Sequence, residues 1–292
     1  MPSLDPRAAT IAGVHSRDER WDHIDTILCD LDGVVWLAHQ PIVGSVEAIA
    51  RLRASGRRVM FVTNNSAAVR AHHEAALAEI GIPAIGDVVS SATAAALLVD
   101  AGDRVLVAGG PGVVEALEER GADVVVNDGR GSPLGFDAVV VGLHRDFDFD
   151  RLAVASAAVR AGARLIGTNT DATYPTPTGL APGGGSILAA VATAAGVEPV
   201  IGGKPHGPMA DLIARLVSTP ERVFDPTCAV MVGDRPETDG LFARRLGCHF
   251  ALVRSGVSQP LTLIHDDIVL DLDMADLAAV ATRLVSTSDQ GQ

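Results

Sequence analysis

The chain has 292 residues, of which 48% are hydrophobic, and this is enough apolar surface to bury a sizeable core. Its 23 basic and 36 acidic residues give a formal charge of −13. This charge argues against nucleic acid as a partner, because phosphate backbones are bound by a surplus of Lys and Arg. The spacing of Cys29, Cys228 and Cys248 fits neither a disulfide framework nor a zinc site.

No signal peptide is recognisable at the N-terminus, and no apolar run approaches the roughly 20 residues of a membrane-spanning helix. With so few cysteines, a reducing cytoplasm is the simplest location. We therefore expect a soluble cytoplasmic protein that has no membrane partner.

The first part of the chain alternates between predicted strands and predicted helices. Residues 1–22 are polar and irregular, and we predict a loose arm there. The predicted strands are 26–30, 58–63 and 88–90, and the predicted helices cover about 44–56, 67–80 and 92–99. On the second of these helices we predict that His72 and His73 are solvated.

A second alternation runs from residue 104 to about 199. Its predicted strands are 105–108, 124–126, 138–141 and 164–167, and its predicted helices are 113–120, 151–161 and 186–195. The first pattern then resumes with helices at 209–216 and 238–246 and strands at 228–232 and 249–253, before a tail of 286–292 that we predict to be frayed. Strands that alternate with helices predict an α/β fold with parallel sheets.

Acidic and polar residues are predicted at the ends of three parallel strands. Asp30 ends the first strand, and Asp32 can face the same site because alternate residues of an extended chain point the same way. Thr63-Asn64-Asn65 and Asp234 end two further strands, and Lys204 precedes the helix before the Asp234 strand. Ligands of open parallel sheets bind beyond these strand ends. We therefore expect these side chains to converge on one site.

These residue types suit phosphoryl transfer. A carboxylate can attack phosphorus and form an acyl phosphate, and Mg²⁺ prefers oxygen ligands, of which Asp30 and Asp234 can supply two. Thr63 and neighbouring N–H groups can hold phosphate oxygens, and Lys204 can offset clustered negative charge. Asp32 is then free to protonate the leaving group, provided that the anionic site favours its proton.

Four segments together resemble the motifs of a known family: DLDGVVW (30–36), FVTNNS (61–66), GKP (203–205) and GDRPETD (233–239). In this order they resemble the four motifs of the haloacid dehalogenase-like (HAD) phosphatases. The resemblance is greatest to the NagD-like branch, which includes 4-nitrophenyl phosphatases, phosphoglycolate phosphatases and pyridoxal phosphate phosphatases. It covers the chain from about residue 25 to residue 258.

The resemblance implies a role for each motif residue. Asp30 is expected to be the nucleophile, Asp32 the general acid and base, and Lys204 the charge anchor. Thr63 and Asn64, with Asn65 beside them, are expected at the phosphate. Mg²⁺ is expected to be held by the side chains of Asp30 and Asp234 and the backbone carbonyl of Asp32, with Asp239 supporting it indirectly or through water.

The branch also carries an α/β cap between its second and third motifs. We therefore expect a Rossmann-like parallel-sheet HAD core of residues 1–99 and 199–292, with an inserted α/β cap domain of residues 100–198. Within the cap, TNTD (168–171) resembles the substrate-facing loop, and we predict that Arg145, Asn169 and Asp171 contact the substrate. The chain departs from the usual sequence of the branch at His144, at Gly202 and His206, and at Pro236-Glu237. These departures bear on substrate identity.

The cap region contains few aromatic residues, namely Phe136, Phe147, Phe149 and Tyr174. Its polar groups favour a small phosphate with hydroxyls or a carboxylate, such as glycerol phosphate or phosphoglycolate. The alternative is a pyridoxal phosphate or nucleotide phosphatase, with Tyr174 as the stacking surface. The physiological substrate, any regulation and the oligomeric state, a homodimer included, stay open.

Three other functions fit the motifs less well. A phosphomutase of this superfamily usually carries a small helical cap after the first motif, and only about 30 residues separate Asp30 from Thr63. Haloacid dehalogenation needs no metal, so Asp32 as leaving-group acid and the Asp234–Asp239 pair at the metal would have no role. A non-catalytic sensor of phosphate ligands is disfavoured because every catalytic position is intact.

Overall fold

The structure is a computed structural model that describes residues 21–176, 179–256 and 267–285. The predicted frayed tail and residues 1–20 of the predicted arm lie outside this range. The arm prediction is wrong at its end, because Trp21–His23 forms a short 3₁₀ turn and the Trp21 side chain is buried in the core. Among the described residues, no helix combines the length and the apolar character needed to cross a membrane.

The described strands alternate with helices along most of the chain, as the sequence predicts. The strands are β1 (Thr26–Cys29), β2 (Trp36–Leu37), β3 (Gln40–Pro41), β4 (Arg58–Thr63), β5 (Val88–Ser90), β6 (Arg104–Ala108), β7 (Asp123–Val126), β8 (Ala138–Val141), β9 (Arg164–Gly167), β10 (Thr173–Thr176), β11 (Gly179–Pro182), β12 (Val200–Ile201), β13 (Ala229–Gly233), β14 (His249–Val253) and β15 (Leu272–Met274). The helices are α1 (Ser45–Ala54), α2 (Arg70–Glu79), α3 (Ser91–Ala96), α4 (Pro111–Glu119), α5 (Phe149–Arg160), α6 (Gly184–Ala195), α7 (Gly207–Val217), α8 (Leu241–Leu246) and α9 (Leu277–Val285).

Six parallel strands form the first sheet, in the order β15-β14-β13-β1-β4-β5. The central strand β1 pairs with β13 on one side and β4 on the other, so that Cys29 is level with Val232 and Phe61. All four residues of β1 are buried, which is typical of a strand covered by helices on both faces. This arrangement brings the ends of β1, β4 and β13 to one edge of the sheet.

Alternate residues of the first sheet enter two separate hydrophobic clusters. Ile27 and Cys29 pack with side chains of α1 and α9, whereas Leu28 packs on the opposite face with side chains of α7 and α8. Each fully buried aliphatic side chain contributes roughly 1.5–3 kcal/mol through the removal of apolar surface from water. The sheet is therefore a fixed platform between two packed layers.

The second sheet has five parallel strands in the order β12-β9-β8-β6-β7. Helices α5 and α6 cover one face, and α4 and α3 cover the other. Helix α3 also contributes Ala94 to a cluster of the first sheet, so it packs between the two sheets. These two sheets agree with the expected HAD core with an inserted α/β cap.

One predicted domain boundary lies beside the last strand of the second sheet. We predicted that the core resumes at residue 199, but Val200 and Ile201 pair with β9 of the second sheet. The domain limits remain a prediction. The last strand of the second sheet along the chain is β12, and the strands after it belong to the first sheet. Gly202 follows at once, and a Cβ atom there would lie 2.5 Å from the backbone of Ala95 in α3. Close packing on α3 explains a glycine where the branch usually has an apolar residue.

Several elements were not predicted. The hairpin of β10 and β11 contains Pro175 and Pro182, which read as loop residues, and β2–β3 is too short to show a periodic pattern. Helix α9 could have been found from Leu277, Val280 and Leu284, which recur at helical spacing and are buried.

The prediction that His72 and His73 are both solvated is wrong for one of them. His72 is exposed, but His73 is only 1% exposed and lies among the core side chains beneath α2. Burial, reinforced by the charges of His72 and His39, lowers the pKa of His73 to about 4. His73 is therefore a neutral core residue at physiological pH.

Candidate active site

The centre of the site is a buried group of charges around Lys204. Its Nζ atom lies 3.0 Å from Oδ1 of Asp30, the residue directly after β1, and 2.7 Å from Oδ1 of Asp239. Lys204 is 1% exposed and Asp239 is fully buried. Burial disfavours the ammonium form, but the two carboxylates outweigh it and raise the pKa of Lys204. Lys204 therefore stays protonated.

Lys204 is the only lysine in the chain, so the other 22 of the 23 basic residues are arginines. A lysine ammonium is a compact point charge, whereas a guanidinium is a wide planar fork. The two short distances to Asp30 and Asp239 leave room for the compact group between them. We interpret the single lysine as a requirement of this buried position.

Asp30 has a crowded anionic environment. Burial raises the pKa of Asp30 well above its usual value, Lys204 opposes this rise, and the charges of Asp239 and Asp234 add to it. Its Oδ1 atom also accepts a hydrogen bond from the Leu31 N–H over 2.9 Å. The contacts with Lys204 and with the Leu31 N–H both use Oδ1, which leaves Oδ2 available for another partner.

Asp234 follows β13 and is 1% exposed. Its carboxylate fills a space that two glycines leave open: a Cβ atom at Gly33 would lie 2.4 Å from Oδ2 of Asp234, and one at Gly256 would lie 2.0 Å from it. Gly33 also has a φ of 89°, which disfavours other residues. The glycine after Asp32 is therefore needed both for the turn and for the approach of Asp234.

One carboxylate oxygen from each of Asp30, Asp234 and Asp239 lies within 4.8 Å of the other two. Such an all-oxygen set suits Mg²⁺ or another hard divalent cation. Both oxygens of Asp239 already have partners, because Oδ1 binds Lys204 and Oδ2 accepts the Arg235 N–H over 3.1 Å. The residues present fit a divalent cation held by Asp30 and Asp234, with Asp239 holding Lys204 beside it.

The loop after β4 carries the predicted phosphate-binding residues. The Thr63 hydroxyl oxygen accepts the Asn65 N–H over 3.0 Å, so its own proton stays available to a ligand. The Asn64 side chain has partners within the protein: Nδ2 donates to Oδ2 of Asp171 and to the Lys204 carbonyl, each over 3.1 Å, and Oδ1 accepts the Lys204 N–H over 2.9 Å. Asn64 therefore joins three segments of the site, and its amide is occupied by these contacts.

The second sheet contributes the loop after β9 to the same site. Asn169 donates from Nδ2 to the Asn64 carbonyl over 2.7 Å, and its Oδ1 accepts the Asp171 N–H over 3.1 Å. Burial raises the pKa of Asp171, and the charge of Arg235 and the hydrogen bond from Asn64 oppose that rise. Two of the three predicted cap residues thus lie at the cleft between the sheets.

A cavity of about 70 Å³ lies where these elements meet. The predicted site residues that line it are Asp30, Asp32, Thr63, Asn64, Asn65, Asn169, Asp171 and Lys204. Asp234 and Asp239 lie behind this lining, buried in the group of charges described above. The structure therefore brings ten of the eleven predicted site residues to one place.

Arg145 is the exception. It lines a neighbouring cavity of about 600 Å³ together with Phe147, Ile187 and Tyr174, and its guanidinium contacts the Tyr174 hydroxyl. The same guanidinium lies 5.6 Å from the centre of the Tyr174 ring. Tyr174 and Leu143 line both cavities, so the two cavities adjoin. Arg145 therefore lies outside the small cavity that Asp30 lines.

Sequence reasoning gave no role to Arg235, although this residue lines the small cavity. Burial opposes its charge, but Asp234, Asp171 and Asp30 outweigh this effect and raise the pKa of Arg235. Lys204 forms ion pairs with Asp30 and Asp239. Arg235 is the second cationic side chain in the lining of this cavity, among the described residues. The sequence feature that could have identified this residue is its position directly after Asp234 in the fourth motif.

Comparison with known proteins agrees with this geometry. Residues 27–123 match the family described as haloacid dehalogenase-like hydrolase, and residues 201–286 match a family described as HAD-hydrolase-like. Chronophin of Mus musculus is 35% identical over 244 residues, which cover 80% of this chain and 81% of that protein. The chain belongs to the haloacid dehalogenase-like hydrolases. The resemblance drawn from the four motifs is therefore confirmed.

Named phosphatases occur among these relatives. The D-glycerol 3-phosphate phosphatase of Mycobacterium tuberculosis (strain ATCC 25618 / H37Rv) is 38% identical over 247 residues, which cover 82% of this chain but only 66% of that protein. The present chain, as a member of the haloacid dehalogenase-like family with phosphatases as relatives, is an enzyme, a phosphoric monoester hydrolase. The sequence prediction of a phosphatase is confirmed at this level.

Solved structures show the same fold. The glycerol phosphate phosphatase of Mycobacterium tuberculosis in complex with magnesium has a TM-score of 0.78 and 33% identity, and the match covers 89% of this chain and 78% of that one. A calcium complex of the same enzyme has a TM-score of 0.79. A relative that binds divalent cations agrees with the cluster of carboxylates described above.

Proposed function

We propose that this enzyme hydrolyses small phosphomonoesters through an aspartyl phosphate formed on Asp30. The observation that supports this most is the position of Asp30, which lies at the end of β1, 3.0 Å from the Lys204 ammonium, in a cavity lined by Asp32 and Thr63. A nucleophile, a proton donor and a hydroxyl for the phosphoryl oxygens thus share one small space. These are the groups that phosphoryl transfer requires.

In the first step, Oδ2 of Asp30 attacks phosphorus and the bond from phosphorus to the leaving oxygen breaks. The leaving oxygen takes a proton from the Asp32 carboxyl group. In the second step, a water oxygen attacks phosphorus, the bond to Asp30 breaks, and Asp32 takes the proton from the water. The products are the alcohol and inorganic phosphate, and both aspartates return to their starting forms.

Asp30 and Asp234 would hold Mg²⁺, with the backbone carbonyl of Asp32 as a third protein ligand. When bound, the cation neutralises charge on the phosphoryl group and on the cluster of acids. The need for it follows from the charges of the site, since the carboxylates of Asp30, Asp234 and Asp239 outnumber the cations Lys204 and Arg235 even when Asp32 is protonated. A phosphate dianion would otherwise meet a net negative field.

Among substrates, we favour a phosphate ester of a small alcohol that carries hydroxyls or a carboxylate. The cavity at Asp30 is narrow, and its outer lining is polar, with Asn169, Asp171 and Arg235. Glycerol phosphate is the first candidate, in line with the named activity of the mycobacterial relative. Phosphoglycolate is the second, with Arg235 as the group that would meet its carboxylate.

The adjoining cavity of about 600 Å³ favours a second candidate. Its apolar wall, with Phe147 and Ile187, and the ring of Tyr174 could hold the ring of pyridoxal phosphate or a nucleotide. Phe149, which also belongs to the sparse aromatic set of the cap, is 80% exposed and takes no part in this wall. Tyr174 is therefore the aromatic residue that lies where the wider cavity joins the small one.

The test is turnover of 4-nitrophenyl phosphate with and without Mg²⁺, followed by kcat/KM for matched panels of phosphates. The panels are small polyol and acid phosphates, nucleoside monophosphates and pyridoxal phosphate. We expect activity that depends on Mg²⁺. We also expect a higher kcat/KM for the small phosphates than for the nucleoside monophosphates and pyridoxal phosphate. A tenfold lead for a nucleotide or pyridoxal phosphate, equal to about 1.4 kcal/mol in the transition state, would favour the second candidate.

The Arg235→Gln variant adds a direct comparison between the two small substrates. If Arg235 meets a substrate carboxylate, kcat/KM falls more for phosphoglycolate than for glycerol phosphate. Arg215→Gln on the exposed side of α7 is the matched control. The cytoplasmic location and the absence of a nucleic-acid partner stay predictions of the sequence, and the oligomeric state stays open.

A further inference from the structure

The indole of Trp36 contacts the residue proposed as general acid. Its Nε1–H donates to Oδ1 of Asp32 over 3.1 Å, and the Trp36 side chain is only 1% exposed. A buried indole N–H needs an acceptor, because leaving it without one costs roughly 1–3 kcal/mol. The carboxyl group of Asp32 supplies this acceptor.

The backbone around Trp36 holds the indole in place. The Gly33 N–H donates to the Trp36 carbonyl over 2.8 Å, and the Trp36 N–H donates to the Leu31 carbonyl over 3.2 Å. The chain from Leu31 to Trp36 is therefore a closed turn that begins and ends beside Asp32. The neighbouring Val35 carbonyl accepts from the Ser45 hydroxyl over 2.8 Å, which ties this turn to α1.

A strained hairpin also packs against the indole. The two residues between β2 and β3 are Ala38, with a φ of 49°, and His39, with a φ of 64°. Glycine or asparagine is usual at such positions, and each non-glycine residue there costs of order 1–3 kcal/mol. The turn brings the His39 ring to 4.9 Å from the centre of the Trp36 ring. Two independent contacts thus fix the same side chain.

We propose that Trp36 is a positioning residue that holds the Asp32 carboxyl group in the orientation needed for proton transfer to the leaving oxygen. With Oδ1 bound to the indole, Oδ2 is the oxygen that remains to give and take the proton. Without the indole, Asp32 is free to turn toward Lys204 or Arg235, whose charges also act on it. This inference rests on the proposed function, since it assumes that Asp32 is the acid.

The positioning role of Trp36 predicts that the loss of activity without its indole depends on the leaving group of the substrate. An alkoxide must receive a proton as the bond to phosphorus breaks, whereas 4-nitrophenolate leaves with little help. Loss of the indole N–H should therefore harm alkyl phosphates much more than 4-nitrophenyl phosphate. A merely structural role of Trp36 would lower activity toward both substrates alike.

The experiment compares kcat/KM for glycerol 3-phosphate and 4-nitrophenyl phosphate in the Trp36→Phe enzyme with bound Mg²⁺. We expect a loss of at least tenfold for the alkyl substrate and less than threefold for the aryl substrate. Because both substrates are measured on one preparation, their ratio does not depend on the fraction of folded protein. Trp21→Phe replaces the other buried tryptophan, outside the cavity, and should leave the ratio unchanged.

A double-mutant cycle with Asp32→Asn tests whether Trp36 acts through Asp32. We expect Trp36→Phe to cause no further loss for the alkyl substrate once Asp32 is replaced. Independent losses that multiply, or an unchanged substrate ratio in Trp36→Phe, would overturn the proposal. If Trp36→Phe does not fold, the same ratio is measured on Trp36→Met.

The proposed function and this inference are refuted by different results. Substantial turnover by Asp30→Asn would refute the covalent reaction, whatever Trp36 does. An inactive Asp30→Asn together with an unchanged substrate ratio in Trp36→Phe would refute only the positioning role.

Discussion

The side-chain amide of Asn64, directly after β4 of the first sheet, donates a hydrogen bond across the cleft to Asp171, in the loop after β9 of the second sheet, over 3.1 Å. The same amide also bonds both backbone groups of Lys204. One residue therefore sets the position of the charge anchor and of the loop that faces the substrate. The contact therefore links the loop after β9 to the segment that positions Lys204 beside Asp30.

Asp30→Asn should reduce kcat by at least about a thousandfold while leaving the fold intact, because an amide oxygen is a poor nucleophile toward phosphorus. The measurement is turnover of 4-nitrophenyl phosphate with Mg²⁺, with circular dichroism to verify folding. Asp211→Asn, on the exposed face of α7, is the matched control. Trapping with beryllium fluoride should label Asp30 of the wild type; a label on another acid would contradict the assignment.

Asp234→Ala should weaken Mg²⁺ binding by at least tenfold, or about 1.4 kcal/mol, because one of the two carboxylate ligands is lost. Isothermal titration of the protein with Mg²⁺ measures this directly, without reference to activity. Asp211→Ala serves as the control for a general loss of negative charge. Unchanged Mg²⁺ affinity in Asp234→Ala would show that the cation binds elsewhere.

Lys204→Met should lower the free energy of unfolding by about 3–5 kcal/mol in the absence of Mg²⁺, because the buried carboxylate of Asp239 loses its partner. Urea denaturation in EDTA gives this quantity. The double variant Lys204→Met/Asp239→Asn removes both charges and should regain most of the loss. A loss below about 1 kcal/mol in the single variant would mean that the pair is not isolated from water.

His73 should make stability depend on pH between about 4 and 6.5. Its pKa is about 4 in the folded chain and 6.5 for a free side chain, so in this window the unfolded state binds the extra proton. Stability is then fully present above pH 6.5 and falls as the pH drops, by about 3 kcal/mol at pH 4. Urea denaturation across this range should show a shallower fall for His73→Gln.

His72→Gln is the matched control for this pH series, because His72 is exposed on the same helix. Its pH dependence should equal that of the wild type. An identical pH dependence in His73→Gln and the wild type would show that folding does not lower the pKa of His73.

Ala38→Gly should raise the free energy of unfolding by about 1 kcal/mol, because glycine adopts positive φ without strain. Thermal or urea denaturation measures the gain, and the substitution removes no atom from the Trp36–His39 contact. As a control, Ala75→Gly at an exposed position in the middle of α2 should lower stability by a similar amount, since helix interiors disfavour glycine. Destabilisation by Ala38→Gly would mean that the turn adopts another conformation in solution.

Local patterns in the sequence were sufficient for the α/β class and for the residues that carry the chemistry. A buried parallel strand has a continuous apolar run, and a strand end with Asp30 and Asp32 has a distinct residue spacing. Both signals lie within a few residues along the chain, so they can be read without knowledge of packing. Likewise, the placement of Asp30, Thr63 and Asp234 at one edge follows from parallel strands alone.

The tertiary structure decided what depends on contacts between distant segments. The amide of Asn64 is engaged by Lys204 and Asp171, which lie 140 and 107 positions further along the chain. Arg145 lies in the wider cavity and Arg235 in the narrow one, because the sheet order and not the motif spacing sets which loops meet. The burial of His73 has the same origin, since a polar sequence cannot show which face of α2 the core covers.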